Sequence, residues 1–168
     1  MKLFTRLLII VLILNFPFQK LFAKEVKPDK AQKVAVSFCN NVCFKNSGSS
    51  FSLNLVYTEN IKKQAPGKQK FTREPAYYVF NIDKNGFIII SGDDAAYPVL
   101  AWSAQSSYTG TDFPFAFRKW MDNYRKQIKY IRKHDLQPDK SIKRAWKELE
   151  SGNFSTDPAS KAVAPLLS

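Results

Sequence analysis

Three side chains in this 168-residue chain could serve as a nucleophile and its base: Cys39, Cys43 and the single histidine, His134. A cysteine attacks as the thiolate and needs a neighbouring base to form it. His134 closes a basic, helix-patterned stretch, a setting that suits a helix C-terminal cation better than a catalytic partner. Cys39 and Cys43 stand four apart, and in a regular helix that spacing holds the Cβ atoms too far apart for a disulfide. Two small, half-buried residues are therefore expected there. Asp93 and Asp94 are adjacent carboxylates, but neighbouring side chains in a strand or turn diverge. They read as turn formers, not as an acid/base pair. Two cysteines and one histidine exclude a four-ligand zinc module and a disulfide-dense scaffold. No Gly-rich phosphate loop or metal-ligand spacing occurs. No metal, cofactor or catalytic role is expected.

Charge is the next signal. Lys and Arg number 26 against 14 Asp and Glu, a net +12 that suits nucleic acid, an anionic surface or an acidic protein. The first 23 residues narrow that choice. Lys2 and Arg6 precede an unbroken apolar run from Leu7 to Leu14, Pro17 interrupts the stretch, and small Ala23 is placed for cleavage before Lys24. This is the order of a secretory signal peptide, and the run is shorter than the roughly 20 residues a membrane-spanning helix needs. Removing Lys2, Arg6 and Lys20, with no acidic residue, lowers the charge from +12 to +9. An exported chain of that kind is not expected to meet nucleic acid or to keep a stable membrane span. The hydrophobic share of 45% is enough to fill a core in one domain.

Several elements would position these residues. Lys27 to Cys43 carries Ala31, Val34, Ala35, Phe38 and Val42 on one helical face, with Asp29 as its cap. Leu53 to Thr58 alternates as a strand, and the polar stretch Ile61 to Glu74, with Pro66-Gly67, reads as an exposed loop. Ala76 to Ile82 and Phe87 to Ser91 flank Asn85-Gly86, the signature of a tight hairpin whose turn residues tolerate positive φ. The second of these strands is apolar on both faces and is expected at the centre of the sheet. Val99 to Ala104 is a further strand. Phe113 to His134 is an amphipathic helix with Asp112 as cap and a stripe of Phe117, Trp120, Met121, Tyr124, Ile128 and Ile131; its basic residues, Arg132 among them, fill the polar face. Ser141 to Ser151 is a short third helix. The expected fold class is α+β: an antiparallel β-sheet of about four strands packed with two to three helices. Residues 1–23 form the signal, 24–151 the domain, and 152–168 a linker with a processing junction.

The block from Pro75 to Ser103 resembles the prodomain of streptopain-like cysteine proteases, the C10 family, and is equally similar to the stand-alone inhibitors of the Spi type. Gly86-Phe87, Ser91-Gly92-Asp93, Leu100 and Trp102-Ser103 carry the likeness, and it extends over about residues 27–168. The tail Ala162 to Ser168 looks like the junction at which that family's catalytic domain begins, with cleavage near Lys161-Ala162. No segment like that domain's nucleophile occurs within residues 1–168, and the catalytic half is expected to be missing from this chain. The resemblance implies a domain that docks on a C10-type protease, in cis or in trans, and blocks its cleft. Tyr77, Tyr78, Tyr97, Trp102 and Asp93 are the candidate contacts, since aromatic anchors dominate such interfaces. A front piece of a protease precursor is the alternative within the family. A basic extracellular protein that binds a polyanion is the alternative outside it.

Overall fold

The strongest apolar run dictates the centre of the molecule. A segment as apolar as Phe87–Ser91 must be covered on both faces, and every one of its residues is buried. In the computed structural model, which describes residues 25–44, 50–64, 71–83, 85–110 and 113–152, helix α1 spans Pro28–Phe38 and strands β1 to β4 span Leu53–Gln64, Phe71–Ile82, Phe87–Ser91 and Val99–Ser103. Helices α2 and α3 span Phe115–Lys133 and Lys140–Ser151. The strands form one antiparallel meander, β1-β2-β3-β4. The α+β class and the central place of β3 follow the expectation.

Strand periodicity sorts the core into two halves. Tyr78, Phe80, Ile82, Ile88 and Ile90 face Val34, Ala35 and Phe38 of α1 and Ile142, Trp146 and Leu149 of α3. Tyr77, Val79, Phe87 and Ile89 face Met121, Tyr124, Ile128 and Ile131 of α2. The sheet is thus a middle layer, with two helices on one side and one on the other. A register shift opposite Ile89 and Ile90 lets Leu100 and Ala101 both join the α2 side.

Several local expectations change. The stretch expected as a loop over residues 61–74 is instead the end of β1 and the start of β2. Ile61 pairs with Glu74 and Lys62 with Arg73, while Lys63 meets Glu74 at 2.9 Å. Ile61 is the buried residue of that arm, so its composition looks like a loop although its backbone is paired. In the β2–β3 turn the positive φ, 44°, falls on Asp83 rather than on Asn85 or Gly86. The Asp83 carboxylate accepts from the Ser52 amide at 2.8 Å and from the Ser52 hydroxyl at 2.7 Å, which fixes this turn. Gly86 is needed for space, because a Cβ there would stand 2.8 Å from the Ser103 carbonyl oxygen.

The helix ends differ too. Lys27 occupies the N-cap of α1 without a side-chain bond, and Asp29 lies in the first turn beside Pro28. Pro114 occupies the N-cap of α2, and Asp112 lies outside the described residues. Helix α3 is capped by Asp139, whose carboxylate accepts from the amides of Ser141 and Ile142 at 2.7 and 2.8 Å. Gly152 ends it in the left-handed conformation. Among the described residues no helix is long and apolar enough to cross a membrane. The signal and processing residues Ala23, Lys24, Lys161 and Ala162 lie outside the described residues.

Candidate functional site

The Ser91-Gly92-Asp93 signature leaves the end of β3 and must turn against β2. A Cβ on Gly92 would stand 2.1 Å from the Pro75 carbonyl oxygen, so only glycine allows that approach. The Gly92 amide donates to the Ala76 carbonyl at 2.8 Å. The Ser91 hydroxyl donates to the Asp93 carbonyl at 2.8 Å and accepts from the Asp93 amide at 3.1 Å. One carboxylate oxygen of Asp93 accepts from the Ala95 amide at 3.0 Å, and the other accepts from Nε of Arg132 at 2.8 Å. The same guanidinium donates to the carbonyls of Pro75 and Gly92, each at 2.8 Å. The Val26 amide also donates to Gly92 at 2.9 Å. Four segments are knotted here: the stretch before α1, the middle of β2, the end of β3 and the end of α2.

The electrostatics of this knot oppose one another. Burial pushes the Asp93 carboxyl above its ordinary value, while Arg132 and the Ala95 amide pull it back. Asp93 is 1% exposed, so in this arrangement it offers no side chain to a partner. The sequence reading placed Arg132 on the solvated face of its helix; the structure buries most of its side chain. Ile128, one turn earlier, lies in the core, and that spacing was the available signal.

Two other contact candidates also belong to the interior. Tyr77 packs among the α2-side residues, tilted against Tyr57 with ring centroids 6.4 Å apart. Tyr78 is buried on the other side, and its hydroxyl donates to the Val26 carbonyl at 2.7 Å. Tyr124 donates to Leu100 at 3.0 Å and the Trp146 indole to Ala96 at 2.8 Å. A buried aromatic needs a partner for its polar tip, and here those tips join elements distant in sequence. Burial pushes the Tyr78 and Tyr124 hydroxyls up to about 12. Tyr97 is half-buried, its hydroxyl 2.7 Å from that of Ser141 at the start of α3.

Trp102 is different. It lies on β4, the edge of the sheet beyond β3, and it is 37% exposed. Its ring meets Phe38 edge-on, with centroids 5.9 Å apart, which orients it without covering it. The opposite edge, β1, exposes Leu55, Val56 and Tyr57. Sequence reasoning did not single out that second edge, because alternation alone does not reveal which strand lacks a neighbour.

The two cysteines lie where α1 gives way to a π turn over Cys39–Cys43, closed by the Phe44 amide donating to the Cys39 carbonyl at 2.9 Å. Both are free thiols, Cys39 buried and Cys43 half-buried. His134 is the C-cap of α2, its ring 4.2 Å from that of Tyr130, far in sequence from either thiol. Among the described residues no group of three or more His, Cys, Asp or Glu side chains gathers to hold a metal.

No curated protein and no solved structure matches the chain. A family model described as Spi protease inhibitor matches residues 23–128. That span takes in α1, the whole sheet, the turn at Asp93 and most of α2, and stops short of Arg132. The match covers more than half of the chain, and the chain belongs to the Spi protease inhibitor family.

Proposed function

We propose that this chain is a secreted inhibitor that binds and blocks a streptopain-like (C10) cysteine protease, with Trp102 as an anchor of the interface. Membership of the family supports the inhibitor role. The observation that carries the reading is the exposed indole on a strand edge, held by Phe38 on a sheet cored on both faces. A pre-ordered aromatic loses little freedom on binding, and burying it is worth a large share of an interface. Inhibition then needs only occupancy of the cleft or displacement of the protease's catalytic groups. Tyr97 stands as a lesser contact. The positive charge speeds encounter with an acidic protease surface. Export follows from the signal-like residues 1–23, and the mature chain then starts near Lys24.

The test is a titration of residues 24–168 against a C10 protease from the same source. Inhibition is expected at or below micromolar concentration; its absence with folded protein would sink the proposal. A precursor in cis is supported by the junction-like tail, and an in-frame nucleophile segment beyond the codon for Ser168 decides for it. A polyanion-binding role is favoured by one surface feature. Lys30, Lys33, Lys143 and Lys147 line a cleft of about 490 Å³ between α1 and α3. Lys30 is held there by Glu150 at 2.7 Å and lies over the Trp146 ring. Retention on a sulfated polysaccharide column that weakens steeply with salt supports that role, and no retention at low salt rejects it.

A further inference from the structure

The thiol pair at the end of α1 is used by nothing described so far. Its geometry is not that of a regular helix. A π turn winds the backbone wider, with bonds from residue i to i+5, and such turns concentrate at functional sites. The smaller rise per residue of such a turn shortens the separation of residues four apart relative to an α-helix. Cys39 opens that turn and Cys43 closes it, and each thiol perturbs the other.

The two sulfurs have unequal access. Cys39 is fully buried in the α1 side of the core. Cys43 lines a cleft of about 700 Å³, whose other walls include Phe44, Asn54 and the β2–β3 turn at Asp83, Asn85 and Gly86. One thiol is reachable by a small solute, and the other is reachable only by its neighbour. We propose that Cys43 is a thiol-exchange site with Cys39 as its resolving partner, acting on low-molecular-mass disulfides that enter this cleft. This inference is independent of the protease reading.

The chemistry balances in two steps. The Cys43 thiolate attacks one sulfur of the small disulfide, forming a mixed disulfide and expelling one thiolate. Cys39 then loses its proton to the solvent and attacks the Cys43 sulfur, forming the Cys39–Cys43 bond and expelling the second thiolate. The protein dithiol is oxidised, and one small disulfide is reduced to two thiols. The burial of Cys39 and the place of Cys43 on the cleft wall set this division of labour, and the electrostatics agree with it. The thiol hydrogen bond from Cys39 pulls Cys43 below its ordinary value, while that bond and burial push Cys39 up. The sulfur on the cleft wall is thus the better attacking thiolate.

The experiment is a time course of the folded chain with oxidised glutathione, quenched by alkylation and read by mass and peptide mapping. The expected sequence is a glutathione adduct on Cys43, then loss of that adduct as the internal bond forms and two glutathione thiols are released per chain. Cys39→Ala is expected to hold the adduct on Cys43, and Cys43→Ser to take up none. The folded chain is expected to react about fivefold faster at Cys43 than the urea-unfolded chain, since only the fold supplies the hydrogen bond. A first adduct on Cys39, equal rates folded and unfolded, or a wild-type adduct that persists without ring closure would each overturn the proposal. If Cys39→Ala fails to fold, the wild-type time course alone decides.

Discussion

At Asp93 the chain buries a carboxylate to 1% exposure, and at Trp102, in the strand that follows, it leaves an indole 37% exposed. Each choice opposes simple partition, since charges belong in water and large apolar rings in the core. At Asp93 the cost is met inside the molecule, by the Arg132 guanidinium on one carboxylate oxygen and the Ala95 amide on the other. At Trp102 an edge-on contact with Phe38 leaves the ring partly open to solvent. The recognisable Ser91-Gly92-Asp93 signature is therefore the part that holds the domain together. The exposed aromatic surface lies beyond it, on the strand edge.

Substitutions can break this comparison at either end, and the largest effect is expected at the knot. Arg132→Ala strands a buried carboxylate and should cost about 3–5 kcal/mol of stability by denaturant unfolding. The double variant Asp93→Asn with Arg132→Gln should recover part of that loss; strict additivity would show that the two groups do not act together. Gly92→Ala drives a methyl into the Pro75 backbone and should cost about 3 kcal/mol, read the same way. Trp102→Ala should behave in the opposite sense. Its expected change in unfolding midpoint is small, while inhibition of the target protease weakens by at least about tenfold, the loss of an interface anchor. A variant that unfolds without a change in affinity per folded molecule would place Trp102 with Asp93 as a structural residue.

The smallest effect is expected far from both regions, at the cap of α3. The Ser141 hydroxyl and the Ile142 and Ser141 amides hold the Asp139 carboxyl below its ordinary value. A depressed carboxyl stabilises the fold above its unfolded value and loses that contribution as the pH falls through its folded value. Asp139→Ala should cost about 1 kcal/mol near neutral pH. Asp139→Asn should keep most of the cap while flattening the acid limb of the stability curve, measured by unfolding from pH 6 down to pH 2 (about the carboxylate range).

The strand pattern and its centre were legible in the amino acids because burial on both faces leaves an unmistakable mark on Phe87–Ser91. The β1–β2 arm was not legible. Its backbone is paired while most of its side chains are polar or charged and exposed, and composition cannot distinguish that from a loop. The aromatic contact candidates divided for a similar reason. Tyr77, Tyr78 and Trp102 all read as strand aromatics, and only the order of strands shows which of them has a layer above it. The partnership of Asp93 and Arg132 spans 39 positions, so no local pattern could join them. A basic residue one turn beyond a core isoleucine was the hint, and it is outnumbered by equally basic neighbours on α2.

The bond from the Val26 amide to Gly92 has a consequence for the order in which the chain assembles. The meander β2-β3-β4 closes through short connections and needs few residues to be held, so it is the natural nucleus. The Val26 amide meets the Gly92 carbonyl in its folded position once that turn has formed, which places the docking of the N-terminal segment after the meander. Substitutions in the hairpin of β2 and β3 should therefore slow folding, whereas loosening Val26 or its Tyr78 contact should mainly speed unfolding. The first residues of the domain are, on this account, its last to arrive and its first to leave.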